Sequence, residues 1–189
     1  PKAFPWTMMG MIAYDTEGAV YARHILQNKP DARIAVLRQN DDLGRDFMDG
    51  FRKALGDKAK LIVAEVSYET TDPTIDSQVI QLAASKGDAF FIAATGKHVT
   101  QAIRKAAELG WKPQIYIPAG SSSVPGVLKP AGADAARGVI TVANSKSPGD
   151  PAWDDDAGMK TYLAWAKKWV PELNPNDSYV SGGFTYATI

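Results

Sequence analysis

Short apolar runs rich in β-branched and aromatic residues alternate with amphipathic segments through the middle of this chain, and that alternation restricts the possible folds more than any other feature. Residues 33–37 (RIAVL) read as a buried strand. Polar QNDDLG follows, and then RDFMDGFRKAL sets Phe47, Met48, Phe51 and Leu55 at helical spacing. The unit recurs: 61–66 (LIVAEV) is the next strand, and Asp72-Pro73 opens a helix whose Ile75, Val79 and Leu82 share one face and which closes at Gly87 after Lys86. A third strand, 88–94 (DAFFIAA), leads through Thr95-Gly96 to the helix HVTQAIRKAAEL, stopped by Gly110. Residues 114–117 (QIYI) and 138–142 (GVITV) are the fourth and fifth strands. Strands separated by helices of this length need crossover connections, so neighbours must be parallel and the sheet covered on both faces. The expected fold class is therefore α/β, a doubly wound, mainly parallel sheet sandwiched by helices. Two flanking helices are expected at 16–27 (TEGAVYARHILQ) and 154–169 (DDDAGMKTYLAWAKKW), the latter after the Pro/Gly-containing connection SKSPGDPAW.

The 189 residues, 45% hydrophobic and 22% charged, suffice for one ordinary domain. Lys plus Arg and Asp plus Glu are 21 each, so the net charge is zero and nucleic acid is not an expected partner. The absence of cysteine excludes disulfides, thiolate metal sites and a cysteine nucleophile. No apolar run approaches the roughly 20 residues that span a bilayer, so direct membrane insertion is not expected. The chain starts at Pro1 without Met and stops inside SYVSGGFTYATI, which reads as a helix under way; a fragment is expected.

In sheets of this kind small ligands collect at the carboxyl ends of the strands, which singles out the loops 39–44, 95–98 and 118–123. Few residues there suit catalysis. Only His24 and His98 titrate near neutrality; His24 lies within an amphipathic helix, and His98 begins the helix after the third strand, where it can face a ligand. The run GSSSVPG (120–126) offers hydroxyls without a GxSxG elbow, and reads as a turn with an N-cap. Thr95-Gly96-Lys97 lacks the first Gly and the final Ser/Thr of a phosphate loop, and no GxGxxG follows the first strand. Asp41, Asp42 and Asp46, like Asp154, Asp155 and Asp156, stand where carboxylates cap a helix and offset its dipole, a simpler role than metal ligation. The aromatic residues Trp153, Tyr162, Trp165 and Trp169 read as a packing stripe. Neither a metal nor a cofactor is expected, and the three loops describe a recognition surface better than a reaction centre.

RIAVLRQNDDLGRDFMDGFRKAL, followed by DPTIDSQVIQLAASKGDAFFIAATGKHVTQAIRKAAELGWKPQIYIPAG, resembles the second lobe of the branched-chain amino-acid type of ABC-transporter solute-binding proteins, with the type I periplasmic binding fold. The resemblance covers roughly residues 4 to 186. It is carried by the DDxGR loop, the DPTxxSQVxxL segment, the GDAFF strand and AAELGWKP, in that order. PWTMMGMIAYDTEG is similar to the segment by which such proteins cross from the first lobe to the second, and GVITVAN to the strand that crosses back. The resemblance thus implies a crossover segment at 1–14, the second α/β lobe at 15–143, and a return connection with helices at 144–189.

It also implies a receptor, not an enzyme: an extracytoplasmic protein, periplasmic or tethered outside the membrane, that closes on a small molecule and presents it to a membrane permease. Ligand-binding residues expected from the matched loops are Asp41, Asp42, Leu43, Gly44, Thr95, Gly96, His98, Ala119, Gly120, Ser121 and Ser122. Leu43 and Thr95 stand where amino-acid-binding members often carry aromatics, and Ala119 where they often carry an acid that pairs with the ligand's ammonium. Burying an ammonium beside Ala119 with no carboxylate near is unfavourable, so an aromatic or aliphatic carboxylate, or a small amide, is expected instead. A branched-chain amino-acid or amide receptor using Asp41 or Asp42 stays open. So do the sensor domain of a signalling protein and a hydrolase using Ser122 and His98.

Overall fold

A computed structural model describes residues 12–143, 146–176, 180–182 and 184. The first helix, α1 (Tyr14–Asn28), is followed by β1 (Ile34–Gln39), α2 (Asp42–Leu55), β2 (Ile62–Tyr68), α3 (Asp76–Ala84), β3 (Ala89–Ala93), α4 (Gly96–Glu108) and β4 (Gln114–Tyr116). A π-helical turn at Val124–Leu128, a three-residue α5 (Lys129–Ala131) and α6 (Ala157–Trp169) come after them. The four strands are parallel, in the order β2-β1-β3-β4.

The alternating side-chain directions of a strand explain why the runs are apolar throughout. Ala35 and Leu37 of β1, with Phe90 and Ile92 of β3, join Val79, Leu82, Val99 and Ile103 from α3 and α4. Ile34, Val36, Ala89 and Phe91 point the other way and meet Tyr21, Ile25, Phe47 and Phe51 from α1 and α2. The Phe91 ring sits among Tyr21, Phe47 and Phe51, with centroids 5.4, 5.9 and 4.8 Å away. Both faces are therefore covered, as the crossover argument requires.

Two expected elements differ most in extent. The helix expected to open at Asp72-Pro73 starts at Asp76. Asp72 instead accepts a hydrogen bond from the Glu69 amide at 3.0 Å, closing a turn, and a residue before proline is disfavoured in helical conformation. That helix also ends at Ala84, short of Gly87, where Lys86 takes a left-handed conformation with φ +55°. The fifth strand is reduced to one parallel bridge between Tyr116 and Ile140. β4 is three residues long, Pro118 has no amide hydrogen to extend the ladder, and Gly138 has φ +81°. The expected 1–14 crossover and the terminal helix fall largely outside the described residues.

The capping readings of the acidic runs agree with the structure. Asp41 accepts from the Gly44 amide at 3.1 Å and Asp156 from the Met159 amide at 2.9 Å. The Asp156 carboxyl is held below the usual carboxylate range by Lys146 and by that amide. Tyr162 and Trp165 pack with Met159, Ala166 and Phe184 in a separate small cluster, whereas Trp169 is exposed beneath Lys168.

Glycine lets α1 and α2 approach closely. A Cβ on Gly50 would lie 1.7 Å from the Asp15 carbonyl oxygen, and one on Gly18 2.2 Å from that of Phe47. Gly50→Ala is expected to destabilise the fold by about 3 kcal/mol through overpacking, read as the midpoint of chemical denaturation. Gly120→Ala, whose Cβ would meet nothing within 4 Å, should stay within about 0.5 kcal/mol.

Candidate functional site

Parallel strands present all their carboxyl ends at one edge of the sheet. The last residue of β1, Gln39, is buried there, and its side chain joins three strand ends. Gln39 Oε1 accepts from the Tyr68 hydroxyl at the end of β2 (2.9 Å), and from the Thr95 amide (3.2 Å) and hydroxyl (2.9 Å) just beyond β3. Its Nε2 donates to Asp41 at 2.8 Å. Ser121, fully buried, donates to the Ala94 carbonyl at 3.2 Å and ties the loop after β4 to β3.

The predicted site residues divide into two groups at this edge. Thr95, Gly96 and Gly120 are exposed, and Ala119 and Ser122 half-buried. Asp41 is occupied by its cap and by Gln39, while Asp42 points into solvent and pairs with Arg45. Leu43 packs partly against the aromatic core. Gly44 lies where a Cβ would come within 1.9 Å of the Gln39 carbonyl oxygen, so it is required by packing. His98 is 4% exposed, its Nε2 lies 2.9 Å from the Asp72 carbonyl oxygen and its ring lies 4.4 Å from that of Tyr68. The Ser122 hydroxyl donates to the Ala119 carbonyl at 2.7 Å. Neither the serine nor the histidine hydrogen-bonds to the other, so no nucleophile and base pair is assembled.

The amino end of α4 stands open at the same edge. Thr95 uses its hydroxyl on Gln39 and does not cap the helix, and the first turn has no acidic residue. Gly96 has φ +56° with open space where a Cβ would be, and Lys97 follows, exposed. Free amides, the positive end of the helix dipole and an ammonium suit an anionic group.

Sequence reasoning missed Glu17 and Tyr21. Glu17 is 2% exposed; its Oε1 accepts from the Ala119 amide at 2.7 Å and from the Tyr21 hydroxyl at 2.6 Å. Tyr21 Oη also lies 2.6 Å from the Ile117 carbonyl oxygen, and the Val142 amide donates to it at 3.3 Å. The expectation that no carboxylate stands near Ala119 is thereby corrected: α1 brings one from far away in sequence. The signal was present, since Glu17, Tyr21 and Ile25 recur at the i, i+4 spacing of a buried stripe.

Among the described residues no group of three or more His, Cys, Asp or Glu could hold a metal, and no helix is long and apolar enough to cross a membrane. A groove of about 480 Å³ lies elsewhere, at the amino end of β4 between α4 and residues 134–139, and none of the predicted site residues lines it.

The structure is thus an α/β lobe whose strand-end loops are gathered into one polar edge. Residues 1–188 match the sequence profile described as periplasmic binding protein, and the chain belongs to that family. Its fold is that of the type I periplasmic binding proteins. No curated protein matches the chain. Among solved structures, it is similar to a substrate-binding periplasmic protein from Ralstonia solanacearum (26% identity, TM-score 0.66, covering 72% of this chain and 38% of that one). It is also similar to Rp1789 from Rhodopseudomonas palustris (23%, TM-score 0.72, 98% and 52%) and to the leucine-binding protein LivK of Thermotoga maritima (19%, TM-score 0.62, 82% and 43%). The chain thus spans between 38% and 52% of these relatives' own lengths.

Gln39→Leu removes the acceptor for three donors and strands the buried Tyr68 hydroxyl; a loss of about 3 kcal/mol is expected from denaturant midpoints. A second expectation concerns alkaline pH. Burial, and then the neighbouring Glu17, push the Tyr21 hydroxyl above the ordinary tyrosine range; burial, and then Asp41, do the same to Tyr68. Both phenols are neutral in the folded state when the unfolded chain would ionise them, so their contribution is complete below pH of about 10 and is lost as pH rises beyond it. Denaturation midpoints should fall above that pH, and fall less steeply in a Tyr21→Phe, Tyr68→Phe variant.

Proposed function

We propose that this chain forms one wall of the ligand cleft of an extracytoplasmic solute receptor, which delivers its ligand to the permease of an ABC transporter. The observation that carries the reading is the edge stitched by Gln39: loops from three strands are held together while Thr95, Gly96, Lys97 and Gly120 stay exposed. Such an edge holds a molecule and contains no assembled group that would transform it. Membership of the periplasmic binding protein family supports the same role and a periplasmic location. In this reading the segment before α1 and the one after Ile140 connect to a second lobe, and ligand binding shifts an open form toward a closed one that the permease recognises.

The ligand is a small organic acid. Its carboxylate suits the open amino end of α4 beside Lys97, and Leu43 supplies apolar surface near by. A second reading, an amino-acid or amide receptor, is favoured by Glu17 beside the Ala119 amide and by the similarity to a leucine-binding protein. Thermal-shift screening of the complete gene product against aromatic acids, fatty acids and branched-chain amino acids separates them. A true ligand at 100 times its Kd is expected to stabilise the protein by about 2.7 kcal/mol. Stabilisation by simple acids supports the first reading, and stabilisation by leucine with none by any acid overturns it.

A further inference from the structure

The segment that follows the loop after β4 is fastened to the lobe at two points, and they differ in kind. Ile140 is held by backbone: its amide donates to the Ile115 carbonyl at 2.9 Å, and its carbonyl accepts from the Ile117 amide at 3.0 Å. Val142, two residues on, is held by a side chain: its amide donates to the Tyr21 hydroxyl at 3.3 Å. Among the described residues from Ala143 to Gly149, no backbone amide bonds to the α/β lobe. Tyr21 is itself immobilised. It is 1% exposed, its ring lies against those of Phe91 and Tyr116 (centroids 5.4 and 6.1 Å away), and its oxygen is 2.6 Å from both Glu17 Oε1 and the Ile117 carbonyl oxygen. Ile140 and Val142 pack partly against the same aromatic cluster. A buried phenol fixed in this way cannot follow a moving segment, so its bond to Val142 is either made or lost.

We infer that the Tyr21 hydroxyl sets where this segment comes free of the lobe, and so fixes the pivot of that connection when the cleft opens and closes. This rests on the solute-receptor reading, in which the segment leads to a second lobe, and it moves the pivot from Ile140 to beyond Val142. A hinge is a few residues at the end of an element that absorb a change in backbone angles. Residues bonded to a buried phenol do not absorb it, whereas those beyond them do. Without the phenol oxygen the pivot retreats to Ile140, and two more residues, about 7 Å of extended chain, join the free connection. A longer connection lets the lobes separate further and take more orientations, so the closed form gives up more conformational entropy. The anchor also lies beside the ligand edge: Tyr21 touches Ile117, and Glu17, one helical turn away, accepts from the Ala119 amide at 2.7 Å.

The complete gene product and its Tyr21→Phe variant, both without added ligand, are compared by hydrogen exchange resolved to single amides and by small-angle X-ray scattering. In the variant the protection of the Val142 amide is expected to fall at least about fivefold relative to that of Ile140, the scale of one neutral hydrogen bond. The radius of gyration and the maximum dimension are expected to increase. Taking Ile140 as the reference removes a general loss of stability, which a merely structural tyrosine would also produce. Tyr116→Phe is the matched control, since its hydroxyl lies 3.3 Å from His24 Nδ1 on the same face and does not hold Val142; both readouts should stay unchanged, and an equal shift there overturns the assignment to Tyr21. Should Tyr21→Phe fail to fold, the wild-type protein decides: Val142 is expected to be protected at least about fivefold more than Ala143, and equal protection overturns the inference. An unchanged shape in a folded Tyr21→Phe variant also overturns it and leaves the receptor standing. Scattering from the complete gene product that fits a single lobe removes the receptor reading, and the inference with it.

Discussion

Parallel pairing of β1 with both β2 and β3 is the constraint on which the rest depends. Parallel neighbours cannot be joined by tight turns, so each connection carries a helix over a face of the sheet, and every strand ends at the same edge. One requirement thus produces both the double-sided core and the assembled edge. It also explains why β1 is apolar from Ile34 to Leu37 and turns polar only at Arg38 and Gln39, where it leaves the sheet. A polar residue one turn earlier in that strand would sit between aromatic layers, with no partner in reach.

That same edge gathers the buried polar groups of the lobe. Glu17, Gln39, His98 and Ser121 are the polar or charged residues buried among those described, and each bonds to a backbone group or side chain at a strand end or the loop beyond one. Buried polar contacts are directional where apolar packing is adaptable, so they hold loops in register. Gln39 sets the loops after β2 and β3 relative to β1, and Ser121 sets the loop after β4 relative to β3. The remaining backbone amides at the start of α4 are left without a side-chain cap because Thr95 is committed to this network.

How far the sequence could be read follows from the range of the interactions. Period-two and period-3.6 patterns report contacts a strand or helix makes with whatever covers it, so all four strands and the principal helices were legible. The limits of α3 and of the 138–142 segment were not, since they depend on a side chain of Asp72 folding back on Glu69 and on Pro118 ending a ladder. Local capping by Asp41 and Asp156 was visible from spacing alone. The pairing of Glu17 with Ala119, 102 positions apart, was not: nothing within either segment marks the other.

That long-range pair changes the meaning of a local observation. Reading the 118–123 loop by itself, a small apolar Ala119 argues that no charge is available at this turn, and hence against a ligand with a donor there. In three dimensions the backbone amide of Ala119, not its side chain, is the contact, and it points at a carboxylate carried by α1. The same carboxylate bonds Tyr21, which touches the end of β4 through Ile117 and the returning segment through Val142. A side chain on the first turn of one helix thereby joins the loop proposed to meet the ligand to the end of β4 and to Val142. The Tyr21 hydroxyl thus sits between two acceptors, Glu17 Oε1 and the Ile117 carbonyl, each 2.6 Å away, and helps to fasten α1 to the end of β4.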